Sequence, residues 1–326
     1  MEVKNKPKIF IHSWLSDDLL SRLEKDFDID HHDTTESILS GNELLDRVIN
    51  VEGILVQSAL IDKTLIQSCS NLKIVSNVGV GFDNIDANLS TKMGIQVTNT
   101  PGILNDAVAD MSMALLLSIA RRVPEGDRIV RSGGFKANFY HLLWGVDLKD
   151  ENLGIIGMGS IGQDVAKRAL PFGLNIKYHN RNRLSKDIES SLNAEWMSLE
   201  NLLKSCRFIV ILCPLTNETK HLITIKELNH MRKDSFLINI ARGPIVKESD
   251  LIKALEDKII AGCALDVYEF EPNYDLRLSK MDNVVLAPHA GSASVKSRTG
   301  MVELAAKNIE NFFLKNEVLN PVNKIK

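Results

Sequence analysis

The sequence is poor in several things, and each absence excludes a class. Its 326 residues hold four cysteines, Cys69, Cys206, Cys213 and Cys263, with no Cys-x-x-C pair. A disulfide scaffold is therefore out, and thiols scattered in this way suit a reduced, cytoplasmic compartment, where they act as small buried apolar groups. Long apolar runs are missing. The longest largely apolar stretch, Met111 to Ala120, is too short to cross a bilayer and ends at Arg121-Arg122. The opening MEVKNKPKIFIHSWL is interrupted by His12 and soon meets Asp17 and Asp18, so no signal-peptide core forms. An excess of one charge is missing as well. With Lys+Arg at 39 and Asp+Glu at 42 the net charge is −3, which gives no bulk attraction to nucleic acid or to an anionic membrane. No internal repeat, low-complexity tract or Gly/Ser linker is present. What remains is an ordinary globular composition, 44% hydrophobic and 25% charged. The length predicts about two domains, and the missing linker predicts that they are tightly coupled.

Short apolar runs alternate with amphipathic stretches. Residues 8–11, 53–57, 72–78 and 96–99 read as strands, with a helix through Leu65 and Ile66. Ser16 is placed to cap a helix carrying Asp17 and Asp18 in its first turn and Leu19, Leu20 and Leu23 on one face. Residues 105–120, apolar almost all round, predict a buried helix. A second series begins at Leu153, with strands over 153–157, 175–179, 208–213, 235–240, 260–267 and 283–287, a helix over 161–170 and a last long helix over 292–315. Such alternation predicts an α/β protein with parallel sheets covered on both faces. His31-His32-Asp33 reads as a surface loop, and no spaced ligand partner makes it a metal site.

Gly157-Met158-Gly159-Ser160-Ile161-Gly162 follows a predicted strand and opens a predicted helix. In that setting the first glycine permits a tight turn, the second admits a pyrophosphate close to the backbone, and the third packs helix on strand. The N–H groups of Ser160 and Ile161 lie at the helix N-terminus, which attracts an anion. About twenty residues on, where an NAD site usually carries Asp or Glu for the ribose hydroxyls, the chain offers Asn180, Arg181 and then Arg183. A guanidinium there binds a 2′-phosphate through charge-assisted hydrogen bonds, so the expected cofactor is NADP, with NADPH preferred and NAD possible.

Five motifs then occur in order: NTPG (99–102), the glycine turn, INIARG (238–243), LDVYEFEP (265–272) and PHAGS (288–292). With them nearly the whole chain resembles the D-isomer-specific 2-hydroxyacid dehydrogenases. The YHNR segment is most similar to the glyoxylate/hydroxypyruvate reductase and 2-ketogluconate reductase branch. The resemblance implies two doubly wound parallel-sheet domains. A Rossmann cofactor domain, residues 101–288, is inserted in a flavodoxin-like substrate domain built from 1–100 and 289–326. It implies reduction of a small 2-keto acid by hydride transfer, and a homodimer.

By motif, Arg242 is expected to bind substrate, Glu271 to be the acidic partner and His289 the proton donor. The chemistry suits these types. Histidine gives and recovers a proton near neutral pH, a carboxylate orients it, and arginine pairs with a carboxylate and polarises a keto oxygen. By the same resemblance Val78 and Gly79 hold the substrate carboxylate through backbone N–H groups. Pro214, Thr219, Ile240, Asp266 and Asn105 contact the cofactor, and Trp144 and His141 lie in a dimer arm or in plain packing. Only 37 residues follow His289, which weakens the long phosphoglycerate dehydrogenases, and Glu271 argues against formate dehydrogenases, which carry glutamine there. The rival reading is a nucleotide-sensing corepressor of the same fold, a protein class with extra disordered tails.

Overall fold

The computed structural model describes residues 6–136 and 143–325, so His141 lies outside the described residues. The chain divides into two compact units, Met1–Leu104 with Ser294–Lys326, and Asn105–Ala293. The crossings fall a few residues beyond the 100/101 and 288/289 positions expected from the motifs. The Pro101-Gly102 turn stays with the first unit, and the second begins at a helix start.

The first unit opens with β1 (Lys8–His12), α1 (Asp17–Leu23), β2 (Asp28–His32), α2 (Gly41–Val48), β3 (Gly53–Val56), α3 (Lys63–Ser68), β4 (Ile74–Asn77), α4 (Ala87–Lys92) and β5 (Gln96–Thr98). Its strands form one parallel sheet in the order β2-β1-β3-β4-β5, the flavodoxin-like arrangement. β3 and β4 are buried along their whole length, because helices cover both faces; β3 reads as an apolar run for that reason, whereas β4 ends in the buried polar residues Ser76 and Asn77. Ser16 does cap α1, accepting from the Leu19 N–H, and Leu19 and Leu23 are the buried face. One expectation fails at the edge. His31 and His32 belong to β2 rather than to a loop. An edge strand has one neighbour and one half-wet face, so DIDHH carries a single aliphatic residue and shows no apolar run.

The second unit contains α5 (Asn105–Ala120), α6 (Val123–Arg131), β6 (Asn152–Ile156), α7 (Ser160–Ala169), β7 (Asn175–His179), α8 (Lys186–Ser191), β8 (Ala194–Trp196), α9 (Leu199–Ser205), β9 (Phe208–Ile211), α10 (Ile225–Leu228), β10 (Phe236–Asn239), α11 (Glu248–Glu256), β11 (Gly262–Leu265) and β12 (Val284–Leu286). The seven strands pair in parallel in the order β12-β11-β10-β9-β6-β7-β8. Counted from β6, this is the Rossmann order extended by one strand, and its direction of winding reverses between β6 and β9. Phe208, Ile209, Val210, Ile211, Leu237 and Ile238 are fully buried at the centre. Each such side chain contributes about 1.5–3 kcal/mol by leaving water. α5 lies on α7 and on β10 to β12, burying Val108, Ala109, Met113, Leu115, Leu116 and Ile119.

The chain then returns to the first unit as α12 (Val295–Glu310), which continues into a wider π-type turn over Asn311–Lys315. The predicted single helix over 292–315 is thus a helix plus a terminal distortion. α12 packs on β3 and β4. Ser76 Oγ donates to the Ala305 carbonyl at 2.9 Å, and Arg22 of α1 pairs with Glu303 and Glu310 of α12, both at 3.0 Å. Among the described residues no helix is long and apolar enough to cross a membrane.

Candidate active site

The functional loops of the second unit all leave the carboxyl edge of one sheet. The glycine turn follows β6, residues 213–219 follow β9, Arg242 follows β10, Asp266 to Glu271 follow β11, and His289 follows β12. In an open α/β sheet this edge, where the strand order reverses, is where ligands bind.

The three glycines differ in what they need. Gly157 has φ +103°, and a Cβ on it would stand 2.4 Å from the Cys213 nitrogen. A Cβ on Gly162 would stand 2.5 Å from the Gly157 oxygen. Gly159 has φ −81°, open to any residue, and a Cβ there would meet nothing within 4 Å. Neither backbone conformation nor any neighbour among the described residues requires glycine at 159, and its lack of a side chain leaves the space over the turn open. The helix behind it faces that space. Gly159 caps α7 without a side-chain bond, and the first helical hydrogen bond is Gln163 N–H to Gly159 O. The N–H groups of Ser160, Ile161 and Gly162 precede that bond and suit an anion such as a pyrophosphate.

At the end of β7 the expected cofactor residues take different parts. Asn180 turns its amide onto the glycine turn, accepting from Met158 N–H at 2.7 Å and donating to Met158 O at 3.4 Å. Arg183 is held by Glu189 through two bonds of 2.7 and 2.8 Å, and Tyr178 Oη donates to the same carboxylate at 2.7 Å. The Arg183 guanidinium, followed by the tyrosine hydroxyl, holds the Glu189 carboxyl down at about 2. Arg181 is exposed and makes no hydrogen bond or ion pair among the described residues. Of the two arginines it is the one with no hydrogen bond to a carboxylate, although its charge helps lower the pKa of the Glu218 carboxyl. Pro214 and Thr219 close their loop on each other, the Thr219 hydroxyl donating to Pro214 O at 2.6 Å.

The proton-handling group is compact. His289 Nδ1–H donates to Glu271 Oε2 at 2.7 Å, and Glu271 Oε1 accepts from the Tyr268 backbone N–H at 2.9 Å. Partial burial pushes the Glu271 carboxyl up. The His289 bond and charge, the Tyr268 N–H and the Arg242 charge together outweigh it and hold the group below the usual carboxylate range. An ionised Glu271 therefore fixes the tautomer and direction of the ring and leaves Nε2 as the outward nitrogen. His289 has a left-handed backbone, φ +52°, stabilised by its N–H bond to the Asp266 carbonyl at 2.8 Å. The Asp266 side chain accepts from Ala290 N–H at 2.7 Å and Gly291 N–H at 2.8 Å, and only 1% of the residue is exposed. Burial raises the Asp266 carboxyl despite those two donors. Both its oxygens serve the His289 loop, a task that spacing alone did not reveal.

Arg242 reaches the same region through a close backbone crossing. A Cβ on Gly243 would overlap the Tyr268 carbonyl, so only glycine lets the Arg242 turn lie on the Glu271 loop. Asn239 ties the turn down, its amide donating to Arg242 O at 3.0 Å and its oxygen accepting from Ala241 N–H at 3.2 Å. Ile240 is buried, and Gly291 would touch its side chain if it had a Cβ. Asn105 opens α5.

In the first unit, the turn holding Val78 and Gly79 follows β4. Asn77 Nδ2 donates to the carbonyls of Gly79 at 3.3 Å and Gly81 at 2.8 Å, and Asn99 Nδ2 donates to Val80 O at 2.9 Å. Thr100 N–H donates to Gly79 O at 3.0 Å. Three successive carbonyls are thus held by the protein, but so is one of the two expected donors: Val78 N–H donates to Val56 O at 2.8 Å, because the β3–β4 ladder runs on by one residue. Of the expected pair, Gly79 alone keeps an N–H without a hydrogen-bond partner among the described residues, and it suits an anion.

The description "D-isomer specific 2-hydroxyacid dehydrogenase, NAD binding domain" matches residues 113–291. A glyoxylate reductase from Pyrococcus horikoshii is 46% identical over 312 residues, covering 94% of this chain and 93% of that protein. This chain belongs to the D-isomer-specific 2-hydroxyacid dehydrogenase family. Solved structures agree. A Thermus thermophilus protein superposes with a TM-score of 0.89 at 37% identity, over 97% of this chain and all of that one. An NADPH-dependent glyoxylate/hydroxypyruvate reductase from Sinorhizobium meliloti, in complex with NADP and malonate, gives 0.86 at 31%, over 98% and 97%. As a member of the family the chain is a nicotinamide-dependent oxidoreductase. The open space at Gly159 and the uncapped start of α7 have the room and the donors that a dinucleotide pyrophosphate needs.

Proposed function

We propose that the protein reduces small 2-keto acids to D-2-hydroxy acids with NADPH in preference to NADH. Glyoxylate and hydroxypyruvate are the leading substrates, and 2-ketogluconate comes behind them. The observation that carries the reading is the His289–Glu271 bond of 2.7 Å, set on the carboxyl edge of a dinucleotide-binding sheet beside the Arg242 turn. The nicotinamide supplies the hydride to the carbonyl carbon. His289 delivers the proton to the carbonyl oxygen from Nε2, and Glu271 stabilises the charged ring and keeps its orientation. Arg242 pairs with the substrate carboxylate and polarises the keto oxygen. In the first unit the Gly79 N–H offers a donor to a carboxylate. The cofactor preference rests on Arg181, exposed and without an ion pair among the described residues, and on the missing acid at the end of β7. The homodimer and cytoplasmic location belong to the same reading. In its favour, α6 buries none of its residues and exposes Val123 and Val130.

NADPH oxidation across a panel of keto acids tests the proposal. Turnover of glyoxylate or hydroxypyruvate is expected, with kcat/KM higher for NADPH than for NADH. His289→Ala is expected to lose about 10²–10⁴-fold in kcat while still binding NADPH, the range a positioned acid supplies. Full activity in that variant, or a clear NADH preference, refutes the corresponding half. Tight cofactor binding with no turnover of any acid favours the corepressor reading.

A further inference from the structure

The second unit holds another histidine–carboxylate pair, outside the group just described. His221 Nε2–H donates to Glu269 Oε1 at 2.6 Å. The Glu269 side chain is only 11% exposed, and its other oxygen accepts from the Glu248 N–H at 2.8 Å, at the start of α11. Glu248 answers by accepting from Glu269 N–H at 3.3 Å and from Asp275 N–H at 2.9 Å. His221 has a left-handed backbone, φ +53°, and its N–H donates to the Pro244 carbonyl at 2.8 Å.

These bonds join three loops that have separate duties. His221 ends the loop closed by Pro214 and Thr219, and its neighbour Leu222 donates to Thr219 O. Its backbone holds Pro244, two residues after Arg242. Its ring holds Glu269, two residues before Glu271. The sheet brings the three loops to one edge, but strands fix a loop only at its root. Gly243 has no side chain to lock the Arg242 turn, and Glu271 lies several residues past the end of β11. The His221–Glu269 bond supplies a link beyond the strand ends.

We propose that His221 is a positioning residue for the reductase reaction, acting through Glu269 on Glu271 and through Pro244 on Arg242. It touches neither substrate nor reacting atoms. This inference rests on the reading of Glu271 and Arg242 as catalytic. Without the bond, Glu269 keeps a nearly buried oxygen short of a donor, and the loop shifts to hydrate it. A displacement of an ångström at reacting groups lowers the rate by up to about a hundredfold.

The test compares wild type, His221→Phe, His221→Gln and Glu271→Gln in the full chain. Each is measured for kcat and KM with glyoxylate and NADPH, for NADPH dissociation constant and for melting temperature, with rates divided by the concentration of NADPH-binding sites. His221→Phe is expected to lower kcat per site by roughly ten- to a hundredfold, with the NADPH dissociation constant within about threefold of wild type. His221→Gln, whose amide offers a donor near the Nε2 position, is expected to recover most of that loss. A structural role alone would lower the melting temperature and leave kcat per binding site unchanged, and that result overturns the inference. So does a His221→Gln variant as slow as His221→Phe. Should His221→Phe not fold, Glu269→Ala removes the same bond from the other side and is read by the same criteria. Glu271→Gln separates the two levels. If it stays fully active, the reading of the catalytic group fails. If it is inactive while His221→Phe turns over normally, only the positioning role fails.

Discussion

At the scale of single residues, the glycine turn separates structural need from ligand need. Gly157 is demanded by its own φ and by Cys213, whereas Gly159 is demanded by neither. Gly157→Ala is expected to lose about 1–3 kcal/mol from backbone strain alone, before the overlap with Cys213 is added. Gly159→Ala is expected to keep its stability within about 0.5 kcal/mol, as ordinary open-site substitutions do. It should nonetheless raise the NADPH dissociation constant about tenfold or more, a difference of about 1.4 kcal/mol, because the new methyl occupies the approach of the pyrophosphate. Chemical denaturation and cofactor titration check the pair. A Gly159→Ala protein that binds NADPH normally contradicts the cradle. Asn180 and Arg183 show what spacing leaves out. Their positions after β7 were legible, but their hydrogen-bond partners were not, because Met158 and Glu189 compete for them at hydrogen-bond distance. His221 and Glu269 were illegible for a similar reason. Nothing in the sequence links two residues 48 apart, although LDVYEFEP holds a second glutamate beside Glu271.

At the scale of elements, buried strands were plain and edge strands were not. β3 and β9 are covered on both faces and spell their burial in unbroken apolar residues, and β10 does so up to its last residue, the buried Asn239. β2 and β8 lie at sheet edges, and their polar residues hide them. The β2 edge also carries an acid-sensitive element. His12, at the end of β1, is fully buried, donating from Nδ1 to Gln57 O at 3.1 Å and accepting at Nε2 from Leu39 N–H at 3.0 Å. Its ring stacks on His32 with centroids 5.5 Å apart. Burial lowers its pKa, the Gln57 carbonyl opposes this, and the nearby His32 lowers it further. The unfolded chain takes up this proton near pH 6.5, while the native state resists it to lower pH. Stability from this group is therefore complete above about pH 6.5 and declines as pH falls toward the native value. His12→Asn keeps the donor to Gln57 and removes the titrating group. At pH 8 it should cost about 1–3 kcal/mol, because Leu39 N–H loses its acceptor. Between about pH 5 and pH 7 it should lose stability less steeply than wild type. Denaturant titrations at several pH values decide this, and equal slopes would assign the acid sensitivity to other groups.

At the scale of the whole molecule, one unit is a continuous stretch and the other is assembled from both chain ends, so their sensitivity to the C-terminus differs. The last residues hold on to β5. Thr98 bridges Pro321, Val322 N–H donates to Val97 O at 2.9 Å, and Asn99 N–H donates to Asn320 O at 3.2 Å. Asn323 is the knot. Its Oδ1 accepts from Val97 N–H at 2.7 Å and from Gln96 Nε2 at 2.8 Å, while its Nδ2 donates to Ile95 O and Thr91 Oγ1, both at 2.9 Å. All but the Thr91 bond are made in a buried setting, where losing a partner costs about 1–3 kcal/mol per group. Asn323→Ala should therefore destabilise the unit built from the two ends by several kcal/mol, through a side chain three residues from the C-terminus. The effect should be local. Backbone amides of β4 and β5 should exchange with solvent faster, while those of β9 and β10, in the inserted unit, keep their protection. Equal acceleration in both sheets would mean that the chain opens as one cooperative body. No acceleration in either would mean that the C-terminal strap adds nothing to β5. Acceleration confined to β4 and β5 would give each unit its own stability and make the last residues a fastening for the sheet that carries the Val78-Gly79 turn.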